Sequence, residues 1–301
     1  MSGSSVKTDT PTIVGVIGHP IKHSLSHLMH NEAFRLGKIN STYLSFDVIA
    51  SNLKDALKGM KALGIRGFNV TLPFKETIIQ YLDEVSEEAS VVGAVNTIVN
   101  ENGKLFGYNT DTNGVFETLA PHKDKISEQT ISVIGAGGAS RSVIFTLIRK
   151  FKPAKINIIN RTKQRAETLA DYFNSKMNFE ELVPYELVPP DLISVFQESS
   201  MIINATASGM FPKIEDSPLE TGEVFNEGQI VFDVIYNPLK TKFLDIAEKQ
   251  EATIINGLKM FVEQGALSYE LWTGEKMPKA KVYLLLEETL HRQREKSEKR
   301  E

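Results

Sequence analysis

The sequence predicts an α/β protein of two domains. Short apolar stretches alternate with amphipathic ones over most of the chain, as strands and helices do when they pack in layers. From about residue 129 the alternation becomes stricter and predicts a parallel, doubly wound sheet. The chain has 301 residues, and most domains contain about 50 to 200. We therefore expect two domains, of which the second holds the parallel sheet.

In the first third of the chain, runs of β-branched and aromatic residues predict strands, and apolar residues three or four apart predict helices. The predicted strands are Thr12–Ile17, Ser41–Asp47, Gly67–Val70, Ala94–Asn100 and Lys104–Tyr108. The predicted helices are Ser26–Leu36, Asn52–Leu63 and Phe74–Leu82.

The same criteria predict the elements of the stricter second part. The predicted strands are Thr130–Gly135, Lys155–Asn160, Met201–Ala205, Ile230–Val234 and Thr253–Asn256. The predicted helices are Ala139–Lys150, Gln164–Asn174, Lys259–Thr273 and Lys279–Arg292. Three prolines within Phe179–Ser199 predict a connection with one short helix, and the charged run Glu295–Glu301 predicts a solvated, mobile end.

Composition excludes several classes of function. The net charge of −4 is not the excess of positive charge that is typical of nucleic-acid-binding proteins. The absence of cysteine excludes disulfides and thiolate chemistry. No stretch reaches the apolar length of a membrane span, and residues 1–11 are polar without the apolar core of a signal peptide. We expect a cytoplasmic protein with a disordered N-terminal extension over residues 1–11, and neither nucleic acid nor membrane as a partner.

A glycine-rich turn, GAGGAS at residues 135–140, joins a predicted strand to a predicted helix. Gly135 and Gly137 would allow a tight turn and let a pyrophosphate approach the N–H groups at the helix N-terminus. Ser140 stands where the usual pattern has glycine or alanine. The alternative is a simple strand-to-helix turn, but the flanking strand, helix and next strand favour a dinucleotide site.

The next predicted strand ends in Asn160-Arg161-Thr162, with Arg165 one turn further on. NAD sites usually place Asp or Glu here for the ribose hydroxyls. A guanidinium instead suits a 2′-phosphate, so the sequence predicts NADP. The alternative is that both arginines belong to a solvated helix face.

Two further stretches indicate a second ligand. Lys75 falls in the first turn of the predicted helix Phe74–Leu82, where a cation costs about 0.3–1 kcal/mol, which suggests a chemical role, although a solvent-facing lysine is the alternative. Ser24 and Ser26 precede a predicted helix, where they could cap it or bind a carboxylate. His23, His27 and His30 lie close to one face of that helix, but no carboxylate or thiolate is near in sequence, so no metal site is predicted.

Several longer motifs follow in order: GAVNT at 93–97, GYNTD at 107–111, NATASGM at 204–210, DVIYNPLKT at 233–241 and GLKMFVEQGALSYELWTG at 257–274. With them the chain closely resembles the shikimate dehydrogenase family from about Gly15 to Gly274. One departure is His27, where the family usually has proline after the second serine.

The resemblance implies an enzyme that reversibly reduces 3-dehydroshikimate to shikimate with NADPH, on the route to aromatic amino acids. Ser24 and Ser26 would bind the substrate carboxylate. The residues around the ring and its hydroxyls would be Thr71, Lys75, Asn96, Asp111, Tyr236 and Gln264. Among these, Lys75 would be the acid/base and Asp111 would orient it. The partner would be this small molecule, and the chain a monomer or homodimer.

The resemblance also implies where the cofactor and the domains lie. NADP would contact Gly135, Ala136, Gly137, Gly138, Ala139, Asn160, Arg161, Thr162, Arg165, Thr206, Met210, Ile235, Gly257 and Met260. A substrate domain with a mixed sheet would comprise residues 12–111 and 257–301, and a Rossmann-type NADP domain residues 112–256, with the active site in the cleft between them. The alternatives are a quinate/shikimate dehydrogenase of relaxed specificity and a catalytically silent NADP-binding sensor.

Overall fold

The computed structural model describes the backbone of residues 11–298, and the side chains in that range apart from residues 189, 190 and 294–298. The predicted disorder of residues 1–11 thus lies, except for Pro11, outside the described residues. Of the predicted mobile run, residues 295–298 belong to a helix and residues 299–301 lie outside the description.

Twelve strands and ten α-helices make up the described chain. The strands are β1 Thr12–Gly18, β2 Ser41–Asp47, β3 Gly67–Val70, β4 Glu84–Val85, β5 Thr97–Glu101, β6 Lys104–Tyr108, β7 Thr130–Ile134, β8 Lys155–Asn160, β9 Leu182–Glu186, β10 Met201–Asn204, β11 Ile230–Asp233 and β12 Thr253–Ile255. The helices are α1 Ser26–Gly37, α2 Leu53–Ala62, α3 Glu87–Val92, α4 Asp111–Leu119, α5 Gly138–Thr146, α6 Lys163–Met177, α7 Ile193–Gln197, α8 Lys242–Glu248, α9 Leu258–Thr273 and α10 Lys279–Glu298.

The chain divides into two compact units. The first contains the described residues up to Thr110 together with Val262–Leu286, and the second contains Asp111–Phe261 and the described residues from Glu287. The chain therefore returns to the first unit inside α9, five residues later than the predicted return at Gly257. The end of α10 groups with the second unit instead of the first.

The first unit is built on a mixed six-stranded sheet in the order β2-β1-β3-β5-β6-β4. β1 pairs in parallel with β2 and β3, whereas β5 is antiparallel to both β3 and β6. On α2, Leu53, Leu57 and Met60 lie on one face and join the core around Phe68 and Ile98. Each such side chain contributes about 1.5–3 kcal/mol by burial, so this face orients α2 on the sheet.

The second unit contains a parallel sheet in the order β12-β11-β10-β7-β8-β9. Every residue of β10 and β11 is buried, because strands of a parallel sheet are covered on both faces. The chain runs outward from β7 through β8 to β9 and then returns to β10 on the other side of β7. This doubly wound order places a crevice at the carboxyl ends of β7 and β10, where such sheets bind ligands.

The structure differs from the predicted elements at several places. The predicted helix Phe74–Leu82 is wrong: turns lie at residues 72–73 and 75–76, and only Thr77–Tyr81 form a 3₁₀ helix. The predicted strand Ala94–Asn100 begins only at Thr97. The predicted helix Ala139–Lys150 changes to a π-helical turn at Leu147–Phe151.

Other elements were not predicted at all, namely α3, α4, α8, β4 and β9. Within the proline-bearing connection, α7 is the predicted short helix. β9 contains Pro184 and lies at the edge of the sheet, where proline is tolerated because an edge strand has one unpaired side.

His30 is an unusual core residue of the first unit. It is fully buried, its ring stacks on Tyr43 at 4.4 Å between centroids, and Trp272 lies 5.3 Å away. Neither ring nitrogen has a hydrogen-bond partner among the described residues. Burial lowers the pKa of His30 to about 3, so the imidazole is neutral and packs as an aromatic ring. A metal site built from His23, His27 and His30 would have to unstack it.

This burial predicts an acid-sensitive stability. The unfolded chain binds a proton at residue 30 below about pH 6.5, and the folded chain does so only near pH 3, so stability is lost as the pH falls through this window. Between pH 8 and pH 5, we expect the free energy of unfolding of the wild type to fall by about 2 kcal/mol more than that of His30→Leu. Urea unfolding followed by fluorescence of Trp272, the single tryptophan, measures this.

His291→Gln, at an exposed position of α10, controls for the loss of one histidine. Equal pH slopes for the wild type and His30→Leu would contradict a neutral, buried His30.

Candidate active site

The first sheet gathers polar side chains at one edge. β1 and β3 end there, and β5, being antiparallel, begins there next to the end of β6. The segments that follow β1 and β3 and precede β5 therefore lie along the same edge. These segments hold predicted site residues, namely Ser24, Ser26, Thr71, Lys75 and Asn96.

Ser24 and Ser26 are linked to each other. The Ser24 Oγ donates to the Ser26 Oγ at 3.0 Å and accepts from the Ser26 N–H at 3.3 Å. The residue at the N-cap of α1 is Leu25, which makes no side-chain capping bond. The pair thus forms a turn of its own at the start of α1. His27, in place of the family's usual proline, has its Nδ1 3.0 Å from the Ser24 carbonyl oxygen, which closes the same turn.

Two neighbouring segments hold the turn that contains Lys75, one by a bond to Lys75 itself and one by a bond to Thr71. The Val95 N–H donates to the Lys75 carbonyl at 2.8 Å, and the Thr71 N–H donates to the Ile17 carbonyl at 3.0 Å. The side chain is half-buried. The expectation that Lys75 opposes a helix dipole is wrong, because the residue lies in a turn before a 3₁₀ helix of five residues. Its position follows from these backbone bonds.

Asn96 and Gln264 form a contact within the first unit. The Asn96 Oδ1 accepts from the Thr110 N–H at 2.7 Å, and the Asn96 Nδ2 donates to the Thr110 Oγ1 at 2.9 Å and to the Gln264 Oε1 at 3.3 Å. Asn96 is 2% exposed, and all of these bonds orient its amide. The structure thus brings Gln264, from α9, to the strand edge that carries Asn96.

Two predicted site residues belong to the second unit. Asp111 is buried and is the first residue of α4, directly after Thr110 in the chain. Tyr236 follows β11, and its ring stacks on Phe261 at 3.9 Å between centroids. Each is fixed within its own unit, by helix α4 and by the ring stack.

The glycine-rich turn has the geometry of a phosphate cradle. Gly135 has φ +115°, and a side chain there would meet the Ser140 Oγ at 2.9 Å and the Thr206 Cγ2 at 3.0 Å. An added Cβ on Gly137 would meet nothing within 4 Å, so space is open above the turn. Ser140, the residue that departs from the usual pattern, is buried under Gly135. α5 begins at Gly138 beside this open space and has no side-chain cap, and the uncapped N-terminus of a helix suits a phosphate.

Cationic side chains follow the neighbouring strand. Arg161, Thr162 and Arg165 are exposed after β8, and the Asn160 Nδ2 donates to the Thr162 carbonyl at 2.9 Å. Among the described side chains, neither arginine forms an ion pair with a carboxylate. Both guanidinium groups are therefore available to an anionic ligand beside the cradle.

The remaining predicted cofactor residues lie after β10, β11 and β12. Met210 is 41% exposed, whereas Ile235 and Met260 are buried. A Cβ on Gly257 would lie 2.2 Å from the Val234 carbonyl oxygen, so the chain passes too close there for any side chain. Thr206 is held by Asn204, whose Oδ1 accepts from the Thr206 N–H and hydroxyl.

Asp233, which we did not predict, holds these loops together. Its carboxylate is fully buried and accepts hydrogen bonds from the Asn204 Nδ2, the Ile235 N–H and the Thr241 hydroxyl. Burial raises the pKa of Asp233 to about 7, against the opposing effect of these donors. The signal available in the sequence was a polar residue at the end of an apolar strand, as also for Asn204.

Other classes of site have no support in the described chain. Among the side chains that the structure describes, no three His, Asp or Glu residues cluster as metal ligands. No helix within that range has the length and apolar character needed to cross a bilayer.

The fold and these turns define a class. The second unit is a Rossmann-type dinucleotide-binding domain. Its doubly wound parallel sheet has a glycine cradle at the crevice where the strand order reverses, and arginines follow the next strand. The mixed sheet with its polar edge is a second, separate α/β unit in the same chain.

Comparison with known proteins identifies the family. Residues 16–98 match the shikimate dehydrogenase substrate binding domain, residues 118–235 match shikimate / quinate 5-dehydrogenase, and residues 257–283 match the shikimate 5′-dehydrogenase C-terminal domain. The chain is 43% identical over 279 residues to the shikimate dehydrogenase (NADP(+)) of Caldanaerobacter subterraneus subsp. tengcongensis, covering 92% of this chain and 98% of the relative.

Solved structures agree with this match. A crystal structure of a shikimate dehydrogenase in complex with NADP⁺ has a TM-score of 0.85 and 41% identity, covering 93% of this chain and 96% of that one. The shikimate 5-dehydrogenase of Listeria monocytogenes in complex with shikimate and NAD has a TM-score of 0.81 and 36% identity, covering 93% and 97%. This chain belongs to the shikimate dehydrogenase family.

Proposed function

We propose that the chain is an NADP-dependent shikimate dehydrogenase, which reversibly reduces 3-dehydroshikimate to shikimate. The observation that carries the proposal is the row of polar side chains at the edge of the first sheet, in a chain whose second sheet carries the glycine cradle and the exposed arginines. Family membership supports the same activity, since the similar curated relative bears this name.

The substrate carboxylate would bind at Ser24 and Ser26. Their hydroxyls lie 3.0 Å apart in a short turn beside the start of α1, so both can turn toward one anion. Ser26 is 7% exposed and Ser24 half-buried, which limits competition from water. Thr71, Asn96, Gln264 and Tyr236 would contact the ring and its hydroxyls.

Lys75 would exchange the proton of the reacting hydroxyl. Oxidation of shikimate breaks a C–H and an O–H bond, and bound NADP supplies the nicotinamide that accepts the hydride. The hydroxyl proton then needs a base, a role typically worth about 10²–10⁴-fold in rate. Lys75 has the required chemistry, and its carbonyl is bonded to the Val95 N–H in a turn that Thr71 also ties to Ile17. Asp111, at the N-terminus of α4, would orient the lysine and the hydroxyl.

NADP would lie on the second unit. Gly135, Gly137 and the first turn of α5 would bind its pyrophosphate, and Arg161 with Arg165 its 2′-phosphate. The fit rests on the open space above Gly137 and on the two exposed guanidinium groups. NAD lacks that phosphate, so the arginines would discriminate between the two cofactors.

A single assay tests the proposal against its alternatives. Absorbance of the reduced nicotinamide is followed with shikimate and with quinate, each with NADP and with NAD. We expect the highest kcat/KM with shikimate and NADP. Comparable turnover of quinate would indicate relaxed specificity, and no turnover with any pair would leave a cofactor-binding sensor.

Arg161→Ala should raise the KM for NADP about 10- to 100-fold and change the KM for NAD little, because a charge-assisted hydrogen bond is worth about 1.5–3 kcal/mol. Steady-state kinetics with both cofactors measure this. Lys163→Ala removes a neighbouring cation at the start of α6 and is the matched control. Equal effects of Arg161→Ala on both cofactors would show that the arginine serves the structure alone.

Lys75→Ala should lower kcat by at least about two orders of magnitude, because the proton loses its base, with little change in the KM for NADP. Lys58→Ala, on the exposed face of α2, controls for the loss of a lysine from the same unit, and thermal unfolding confirms that both variants fold. Near-normal kcat in a folded Lys75→Ala protein would assign proton transfer to another group.

A further inference from the structure

A buried cluster of polar side chains lies behind Asn96 and Gln264. It consists of Asn69 on β3, Thr97 on β5, Thr110 after β6 and Ser268 on α9, here called the hydroxyl cluster. Ser268 and Thr97 are 0% exposed, Thr110 is 1% and Asn69 is 7%. Buried polar groups are costly unless they are hydrogen-bonded, so the contacts of this cluster determine how α9 meets the sheet.

Ser268 is the member that links α9 to all three strand ends. Its Oγ lies 2.8 Å from the Thr97 Oγ1 and 3.1 Å from the Thr110 Oγ1, and it accepts from the Asn69 Nδ2 at 3.0 Å. Its hydroxyl can also donate to the Gln264 carbonyl, one turn earlier on the helix, at 3.1 Å. One side chain thus joins the backbone of Gln264 to the sheet.

The cluster also determines which way the Asn96 amide faces. The Thr110 N–H can only donate, and it lies 2.7 Å from the Asn96 Oδ1. The Asn96 nitrogen must therefore point the other way, toward the Gln264 Oε1 at 3.3 Å. Because Gln264 turns its oxygen to Asn96, its amide nitrogen is at the opposite end, as a donor. A displacement of α9 would break the hydrogen bond between Asn96 and Gln264, and the Gln264 amide would no longer have a fixed orientation.

We infer that Ser268 is a positioning residue of the proposed dehydrogenase: by tying α9 to the strand ends, it holds Gln264 against Asn96 with the Gln264 amide nitrogen oriented to donate to the substrate. The inference rests on the proposed function, and it adds a residue that does not itself contact substrate. Removing the hydroxyl leaves Asn69 bonded to Thr97 and to the Asn96 carbonyl, so the sheet keeps its own contacts while α9 loses its link.

The test is the Ser268→Ala variant of the full chain, assayed with shikimate and NADP. We expect the KM for shikimate to rise about tenfold, the effect of one lost hydrogen bond. The kcat should stay within about threefold, and the KM for NADP should not change, because only substrate binding is affected. Ser268→Cys, which keeps a weak S–H donor, should give an intermediate KM for shikimate.

Ser132→Ala is the matched control. Ser132 is a fully buried serine on β7, and its hydroxyl bonds to Ser199 at 2.7 Å, within the second unit. It removes a comparable buried hydrogen bond and should lower the thermal midpoint without changing the KM for shikimate. Fluorescence of Trp272, one turn beyond Ser268 on α9, confirms that the helix of Ser268→Ala remains folded.

A double-mutant cycle tests whether Ser268 acts through Gln264. In a Gln264→Ala background, Ser268→Ala should add little to the KM for shikimate, since the side chain that it positions is gone. The full tenfold effect in that background would overturn the inference, as would an unchanged KM in Ser268→Ala. A wild type without turnover of shikimate would overturn the proposed function and the inference together.

Discussion

Burial of the central strands on both faces is the constraint on which the rest of the structure depends. An unpaired polar group inside such a sheet costs about 1–3 kcal/mol, so polar residues collect where strands end and bonds can be made. In the first sheet these ends supply Ser24, Lys75 and Asn96, and in the second they supply the glycine cradle and the arginines. In each unit the polar side chains thus lie where strands end, because hydrogen bonds can be made there.

Several polar side chains within strands support this view because they are hydrogen-bonded to one another or to neighbouring residues. Asn69, on the interior strand β3, accepts from the Tyr43 hydroxyl at 2.8 Å and donates to the Ser268 Oγ within the hydroxyl cluster. On the second sheet, Ser132 and Asn157 bond to each other at 3.2 Å. Such networks have few alternative arrangements in a dry interior. Because of these hydrogen bonds, the side-chain amides of Asn96 and Gln264 have defined orientations.

The sequence predicts the structure correctly wherever a local residue pattern determines it. β2, β3, β6 and β8 have the predicted bounds, and the glycine turn lies where its pattern indicated. The Phe74–Leu82 helix failed because long-range bonds, from Val95 to Lys75 and from Thr71 to Ile17, impose turns there. α4 was missed because its first turn, Asp-Thr-Asn-Gly, is typical of a loop. The hydroxyl cluster could not be predicted, since Asn69 and Ser268 are 199 positions apart.

His30 and Asp233, two of the buried titratable groups, have opposite consequences for proton exchange during folding. At pH 6 an unfolded aspartate is ionised, whereas Asp233, with its pKa raised to about 7, is mostly protonated in the fold. Folding of the second unit therefore takes up nearly one proton. At pH 5 to 6, burial of His30 in the first unit releases one. The two exchanges offset each other in the whole chain, so a nearly flat pH profile of overall stability in this range would conceal two units that respond to acid in opposite directions.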